Sequence, residues 1–339
     1  MNVAVSAGQV AALAVDAYRE LNSKKLFWVT LALSLGVVLA CAALGINDHG
    51  ITLLGWQFDT APLTADLVPP AKFYLFLFAT LAVPIWLTWL ATILALVSTA
   101  SIVPDFLASG AIELTLARPI SRLRLFTVKC GCGLLFVAIQ VAVFAVACFL
   151  VVGLRGGSWD PRIFLAVPIV VLFFSYLFSF CVLFGVLTRS TIAALLLTLL
   201  VWLLLWSLNT TASMVVLMRE TAAVKAERAG GAAVESAARW RRAASVVGAI
   251  KAVLPKTDET IALLDRWLLT AADKRPFGVG LEPAAEDPAV PFGVPDREAS
   301  ARFERAMGGR PAGWVIGSSC LSAAVVDGVA AWLFCRRDF

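Results

Sequence analysis

The sequence predicts an all-α, polytopic membrane protein with six transmembrane helices, an N-terminal interfacial helix and a large insert between helices 5 and 6. Three observations predict it. Hydrophobic residues make up 60% of the 339 positions and charged residues only 15%, with a mean hydropathy of +0.87. Soluble domains run at about 45–50% apolar and ~25% charged residues. Six apolar runs follow one another: Leu26 to Ile46, Phe73 to Thr99, Phe126 to Val152, Phe164 to Leu187, Thr191 to Leu208 and Trp314 to Phe334. Each is near or above the ~20 residues that cross a bilayer core of ~30 Å. Finally, Lys and Arg are distributed one-sidedly in the short flanks, as in membrane proteins whose cytoplasmic loops are enriched in them.

Residues 1–25 precede the first span. Val10, Leu13, Ala14, Ala17 and Tyr18 fall on one helical face, and Arg19, Glu20, Lys24 and Lys25 follow. That pattern predicts a helix lying in the membrane interface; the alternative is a frayed polar tail. A signal sequence ending at the lipobox-like Val38-Leu39-Ala40-Cys41 would need an unusually long n-region.

Spans one to five occupy 26–208. Only Thr188, Arg189 and Ser190 separate the fourth from the fifth, which predicts a tight helical hairpin rather than one long span. Trp28 and Trp332 stand at one set of span ends, Trp206 and Trp314 at the other, as aromatic belts do. Trp86 and Trp89 lie deep in the second span and read as packing residues. The connector 103–125 follows that span. Pro104 suits the first position of a short helix. Ile112, Leu114 and Leu116 supply apolar surface, and Pro119 ends the helix because it lacks an N–H and restricts Arg118. Ser121 then caps the third span.

Ten basic residues flank one side: Arg19, Lys24, Lys25, Arg118, Arg122, Arg124, Lys129, Arg189, Arg336 and Arg337. Three lie on the other: Lys72, Arg155 and Arg162. The imbalance predicts a multi-pass inner (plasma) membrane protein with both termini and the connector in the cytoplasm. The insert 209–313 is then extracytoplasmic by parity. It reads as mainly helical, or as a poorly ordered spacer. Its Ala-rich stretch Ser213 to Leu254 is interrupted at Gly230-Gly231, which predicts two helices. Within Lys256 to Leu269, Thr257 is placed to cap an amphipathic helix with Ile261, Leu264 and Leu268 on one face. Pro276 to Pro295 is rich in Gly and Pro and reads as irregular chain, and Arg297 to Met307 as a short helix. Residues 314–339 form the sixth span and its tail.

One stretch carries a resemblance. Gly110, Glu113, Leu116, Pro119, Ser121, Arg122 and Lys129 resemble the G-x-x-E-x-x-L-x-x-P-x-S-R…K signature of type-2 ABC exporter permeases, which follows the second membrane helix and faces the ATPase. The closing Arg336-Arg337-Asp338-Phe339 is similar to endings of that family. The resemblance implies an elbow-like first helix, short re-entrant helices between spans five and six, and Gly110, Glu113, Leu116, Arg118, Pro119, Ser121 and Arg122 as the ATPase-coupling set. It implies a separate ATPase subunit holding ATP and Mg, and a homodimer or pseudo-dimer with a second permease. The re-entrant helices would fall at Val246 to Leu254 and Ile261 to Leu269. The insert of about a hundred residues departs from the family's pattern and leaves the substrate open.

Absences narrow the chemistry. There is no G-x-x-x-x-G-K-[ST] loop to cradle ATP phosphates, no G-x-S-x-G and no H-E-x-x-H. His49 is the only histidine, which excludes multi-His metal sites. The seven cysteines fall in or beside the spans, and Cys130 and Cys132 diverge on their helix. No catalytic residue, cofactor or metal ligand is assigned, and nothing points to nucleic acid. Asp327 and Lys129 are the charges inside spans, at similar depth from the inner boundary, and are read as a helix-pinning pair. An ion-coupled transporter using Asp327 is one alternative function, and a membrane scaffold or sensor whose insert binds a partner is the other.

Overall fold

The computed structural model describes residues 25–47, 50–53, 56–59, 68–104, 121–269 and 297–336. The interfacial helix of residues 1–24, the connector residues 105–120, His49, Pro276 to Pro295 and the tail 337–339 lie outside the described residues. Six helices are long and apolar enough to cross a membrane. They are α1 (Lys25–Ala43), α2 (Pro70–Pro104), α3 (Arg122–Gly156), the unit Pro161–Thr188 containing α4 (Ala166–Thr188), α5 (Thr191–Ala229) and α9 (Ala312–Arg336). The protein is an all-α multi-pass membrane protein. Between α5 and α9 lie α6 (Ala232–Val253), α7 (Thr257–Leu268) and α8 (Arg297–Gly308). We call the end of the bundle near Pro104, Ser121 and Arg189 the connector end, and the opposite one the insert end.

The first span ends sooner than its apolar run. α1 stops at Ala43, and Leu44–Asn47, Gly50–Leu53 and Trp56–Asp59 form strands β1 to β3 of an antiparallel meander. Leu44 pairs with Leu53, and Gly50 with Asp59. Tyr74 holds this meander to the bundle: its hydroxyl donates to the Leu44 carbonyl at 2.7 Å and accepts from Arg155 Nε at 3.2 Å.

α2 changes winding within the bundle. Phe78–Ala91 forms a π-helix around Pro84, and Thr92–Thr99 returns to α. Proline has no N–H to return to the preceding turn, and π segments are one way a helix absorbs this. Two hydroxyls reach back five residues in the same register. Thr88 Oγ1 donates to the Val83 carbonyl at 3.0 Å, and Thr92 Oγ1 to the Leu87 carbonyl at 2.8 Å. In hydrocarbon every backbone group must find a partner inside the protein.

α4 forms the centre. Phe173, Phe174, Tyr176, Leu177 and Phe178 are all buried. Gly133 of α3 lets the two helices close: a Cβ there would stand 2.9 Å from the Phe178 ring. At its C-terminus Arg189 takes a left-handed conformation (φ 53°), and its N–H donates to the Gly185 carbonyl at 3.0 Å. Ser190 Oγ then caps α5 by accepting from the Ala193 N–H. The expected hairpin is formed in these three residues.

α5 runs 39 residues, about 58 Å at 1.5 Å per residue. No Gly or Pro interrupts it, so the boundary expected after Leu208 falls inside a continuous helix. It breaks at Gly230 and Gly231, both at positive φ. α6 then returns antiparallel, and the hairpin projects beyond the apolar part of the bundle. Arg302 of α8 clamps its outer half, bonding Glu227 of α5 at 2.7 and 2.8 Å and its own Glu298 at 2.7 Å.

Candidate functional site

Of the expected coupling residues, Gly110, Glu113, Leu116, Arg118 and Pro119 lie outside the described residues. Ser121 caps α3 as expected, its Oγ accepting from the Arg124 N–H at 3.4 Å. Arg122 does something the sequence did not suggest. Its Nη1 donates to the Cys335 carbonyl at 3.2 Å, tying the start of α3 to the last turn of α9. It is half-buried rather than presented freely to water. A cation there also complements the orphan carbonyls of a helix C-terminus.

The expected pairing of Asp327 with Lys129 is not formed. Lys129 lines a small void with Ile102, Val103, Leu125, Phe126 and Phe334. Asp327 stands beside Ser179 of α4, and Cys130 is the α3 residue within reach of its charge. The reason is rotation: neighbouring residues on a helix point about 100° apart. The turn of α3 nearest Asp327 therefore presents Cys130, while Lys129 turns to the void beside Phe334 of α9. Similar depth did not ensure a common face.

A roomier space lies elsewhere, between α2, α5 and α7. It is a cavity of about 420 Å³, lined by Ala79, Thr80, Pro84, Thr88 and Trp89 of the π-wound stretch, with Phe76 just before it. α5 contributes Trp202 and Trp206; α7 contributes Asp258, Ile261, Ala262 and Asp265. The i→i+5 winding brings residues four and five apart onto one face, so Thr80, Pro84, Thr88 and Trp89 share the wall. Trp202 stacks on Trp89 at 4.8 Å between ring centroids, and Trp206 stands edge-on to Trp89 at 6.0 Å. Phe173 of α4 braces Trp202 from behind at 6.1 Å. Trp202 and Trp206 lie about 16 and 22 Å along α5 from Thr191, so the cavity belongs to the insert-end half of the bundle.

α7 is the third wall, and it folds back against the spans. Ile261, Leu263, Leu264 and Leu268 are buried, so the expected apolar face is real and extends to Leu263. The expected cap differs. Lys256 holds the N-cap position without a side-chain cap, and Thr257 is the first helical residue. Thr257 Oγ1 instead accepts from Asn209 Nδ2 of α5 at 3.1 Å, and both side chains are buried. The Lys256 N–H donates to Ser319 Oγ at 2.9 Å, and its Nζ to Ser318 Oγ at 2.7 Å, both on α9. Arg162 Nη1 reaches the Trp267 carbonyl at 3.4 Å, and Arg266 Nη1 the Arg310 carbonyl at 3.2 Å. Glu259 joins Lys251 of α6 at 2.8 Å and Arg310 at 2.7 Å; the Lys251 and Glu259 side chains are only 7% and 11% exposed. Its second oxygen, Oε2, is buried without a hydrogen bond. α7 is thus held by α4, α5, α6 and α9 and by both flanking segments.

Two charges beside this helix are shifted by their surroundings. Burial pushes the Lys256 ammonium down; Glu259 opposes this, and Arg310 and Lys251 add to it. Asp258 is itself exposed, yet loss of water to the packed helices around it pushes its carboxyl up, against the pull of Lys251 and of the Thr257 hydroxyl, with Glu259 adding to the rise. Asp258 lines the cavity, and the described residues give it no ion-pair partner. Among the described residues no group of three His, Cys, Asp or Glu is placed to hold a metal ion.

Sequence reasoning missed this site, although its marks were present. Trp202 and Trp206 are four apart, and Asp258 and Asp265 seven apart, each pair on one helical face. Pro84 marked a disturbed span. Trp86 is a packing residue as expected, its Nε1 donating to Ser34 Oγ at 3.1 Å, whereas Trp89 is cavity wall. No protein-family model matches the chain, and no curated protein matches it.

Proposed function

We propose that this chain is the membrane-spanning permease subunit of a type-2 ABC transporter, moving its substrate outward with ATP hydrolysed by a separate subunit. The observation that carries this is α7. In the permeases that the Gly110 to Lys129 stretch resembles, short re-entrant helices lie between spans five and six. Here a short helix in that position turns back onto the spans and closes a cavity with the second and fifth. Both termini and the connector lie in the cytoplasm in this reading, and the insert lies outside the inner membrane. The chain works as a pair, with itself or a second permease. ATP and Mg belong to the partner. Closure of the ATPase pair pushes on the connector and shifts spans one, two and five around the path. The π-wound stretch of α2 and the tryptophans of α5 would be the parts that meet the substrate.

Co-purification tests the partnership. Glu113→Arg in the connector should lose a P-loop ATPase chain that co-purifies with the native protein. Arg302→Ala, which breaks only the clamp on the α5–α6 hairpin, should keep it. The reverse pattern would favour an insert-centred scaffold. One observation supports a second reading, ion coupling: Asp327 has no ion-pair partner among the described residues and lies inside the bundle beside Ser179. Under that reading Asp327→Asn abolishes gradient-driven uptake in the absence of nucleotide.

A further inference from the structure

We infer that the cavity between α2, α5 and α7 is a binding site for a lipophilic cation, with its apolar body against the indole wall and its charge toward Asp258. The inference deepens the permease reading by naming a ligand class for its site. Three features carry it. The volume of about 420 Å³ falls in the range of cavities that hold drug-sized molecules. Trp89, Trp202 and Trp206 supply three indoles to its wall, and indole faces attract cations more strongly than other aromatic side chains do. The charged side chains lining the cavity are both acidic, Asp258 and Asp265. The nearby cations are turned to other tasks: Lys251 and Arg310 bond Glu259, and Lys256 bonds Ser318. Asp258 therefore presents negative charge to an apolar, aromatic chamber with no basic residue in its lining.

The position fits an amphiphile. The cavity lies in the insert-end half of the bundle, at the depth of one leaflet, and Trp89 and Trp206 stay partly exposed on its wall. A molecule dissolved in that leaflet would meet the indoles before the carboxylate. A neutral apolar ligand would leave Asp258 desolvated without recompense, and an anion would be repelled by it. The shared chemistry is a quaternary, weakly hydrated cation carried on apolar groups. A free organic cation has it, and so does the choline headgroup of a lipid.

Tetraphenylphosphonium and tetraphenylborate have the same shape and opposite charge, and they provide the test. The full chain in phosphatidylglycerol nanodiscs should bind tetraphenylphosphonium saturably, read by tryptophan quenching against empty nanodiscs. Tetraphenylborate should not compete. Asp258→Asn should weaken binding at least tenfold, and so should Trp202→Leu, with both variants checked for unchanged thermal unfolding. Asp265→Asn is a second carboxylate variant should Asp258→Asn not fold. Replacing the lipid with phosphatidylcholine separates the sources: competition assigns the site to a choline headgroup, and unchanged binding assigns it to a free cation. Equal binding of borate, or full affinity in both carboxylate variants, overturns the inference. None of these measurements needs nucleotide or an ATPase. Binding without a co-purifying ATPase would sink the permease reading and keep the site. An ATPase partner with no charge preference would do the reverse.

Discussion

α4 and α5 are neighbours of nearly equal mean hydropathy, 2.5 and 2.4, yet 67% of the first apolar window is buried and only 22% of the second. Hydropathy marks both as spans and says nothing of their places. Residue type does. α4 sets Phe, Tyr, Ser, Cys and Gly among its Val and Leu, and these interlock with its neighbours. α5 shows Ile192, Leu196, Leu200, Leu203 and Leu204 outward. It buries one narrow stripe: Ala194, Thr198, Trp202, Leu205, Asn209 and Ala212. Lipid tails are as apolar as leucine, so leucine gains nothing by leaving them. Shape, small residues and polar contacts decide which helix becomes the centre. The upper end of the α5 stripe is covered by α7, through Asn209 and Thr257.

The largest expected effect comes from releasing that cover. Glu259→Gln leaves the buried Lys251 ammonium without its counter-charge, and breaking a buried pair in this way costs about 3–5 kcal/mol. Adding Lys251→Met should recover much of the loss. A double-mutant cycle on unfolding in mixed micelles reads the coupling, and strict additivity would show that the pair does not pin α7.

The α4–α5 contrast itself predicts the next effect. Phe174→Ala should destabilise by about 2–3 kcal/mol from the void alone, because a void of roughly 100 Å³ costs ~24 cal/mol per Å³. Leu200→Ala on α5 should change stability by less than about 0.5 kcal/mol, since lipid fills the space. Equal costs at the two positions would mean that α5 is packed against protein there.

The smallest effect is a pH dependence. The Asp258 carboxyl, although open to solvent on one side, is raised from its ordinary value of 3.8, chiefly by loss of water to the helices around it. The folded chain therefore keeps this proton at pH values where the unfolded chain has lost it. Stability falls as pH rises from 3.8 through the raised value, and returns on acidification. Asp258→Asn should flatten this limb of the stability–pH curve, and an unchanged limb would assign it to another group.

Local chemistry made much of the fold legible. Ser121 is a cap, Thr188 to Ser190 is a hairpin, and Gly230-Gly231 is a helix break, each decided within a few residues. The apolar face of α7 followed from spacing alone. The remainder depended on partners distant in sequence. Nothing near Leu208 said that α5 continues to Ala229, because Asn209 is held by Thr257, 48 residues later. The β1–β3 meander rests on Tyr74 and Arg155. Lys129 and Asp327 shared a depth but not a direction. The cavity joins residues from Phe76 to Asp265, and only the π-winding of α2 puts its side of the wall in place.

The central claim is that this chain passes ATP energy across the membrane, and the hydrolysis rate of the partner tests it most directly. In liposomes holding both subunits, the native chain should raise ATP hydrolysis above that of the ATPase alone. Glu113→Arg should remove that increase while the protein stays folded, and Arg302→Ala should keep it. A folded complex that hydrolyses ATP at the same rate with native chain, with Glu113→Arg and with no permease at all would contradict the account.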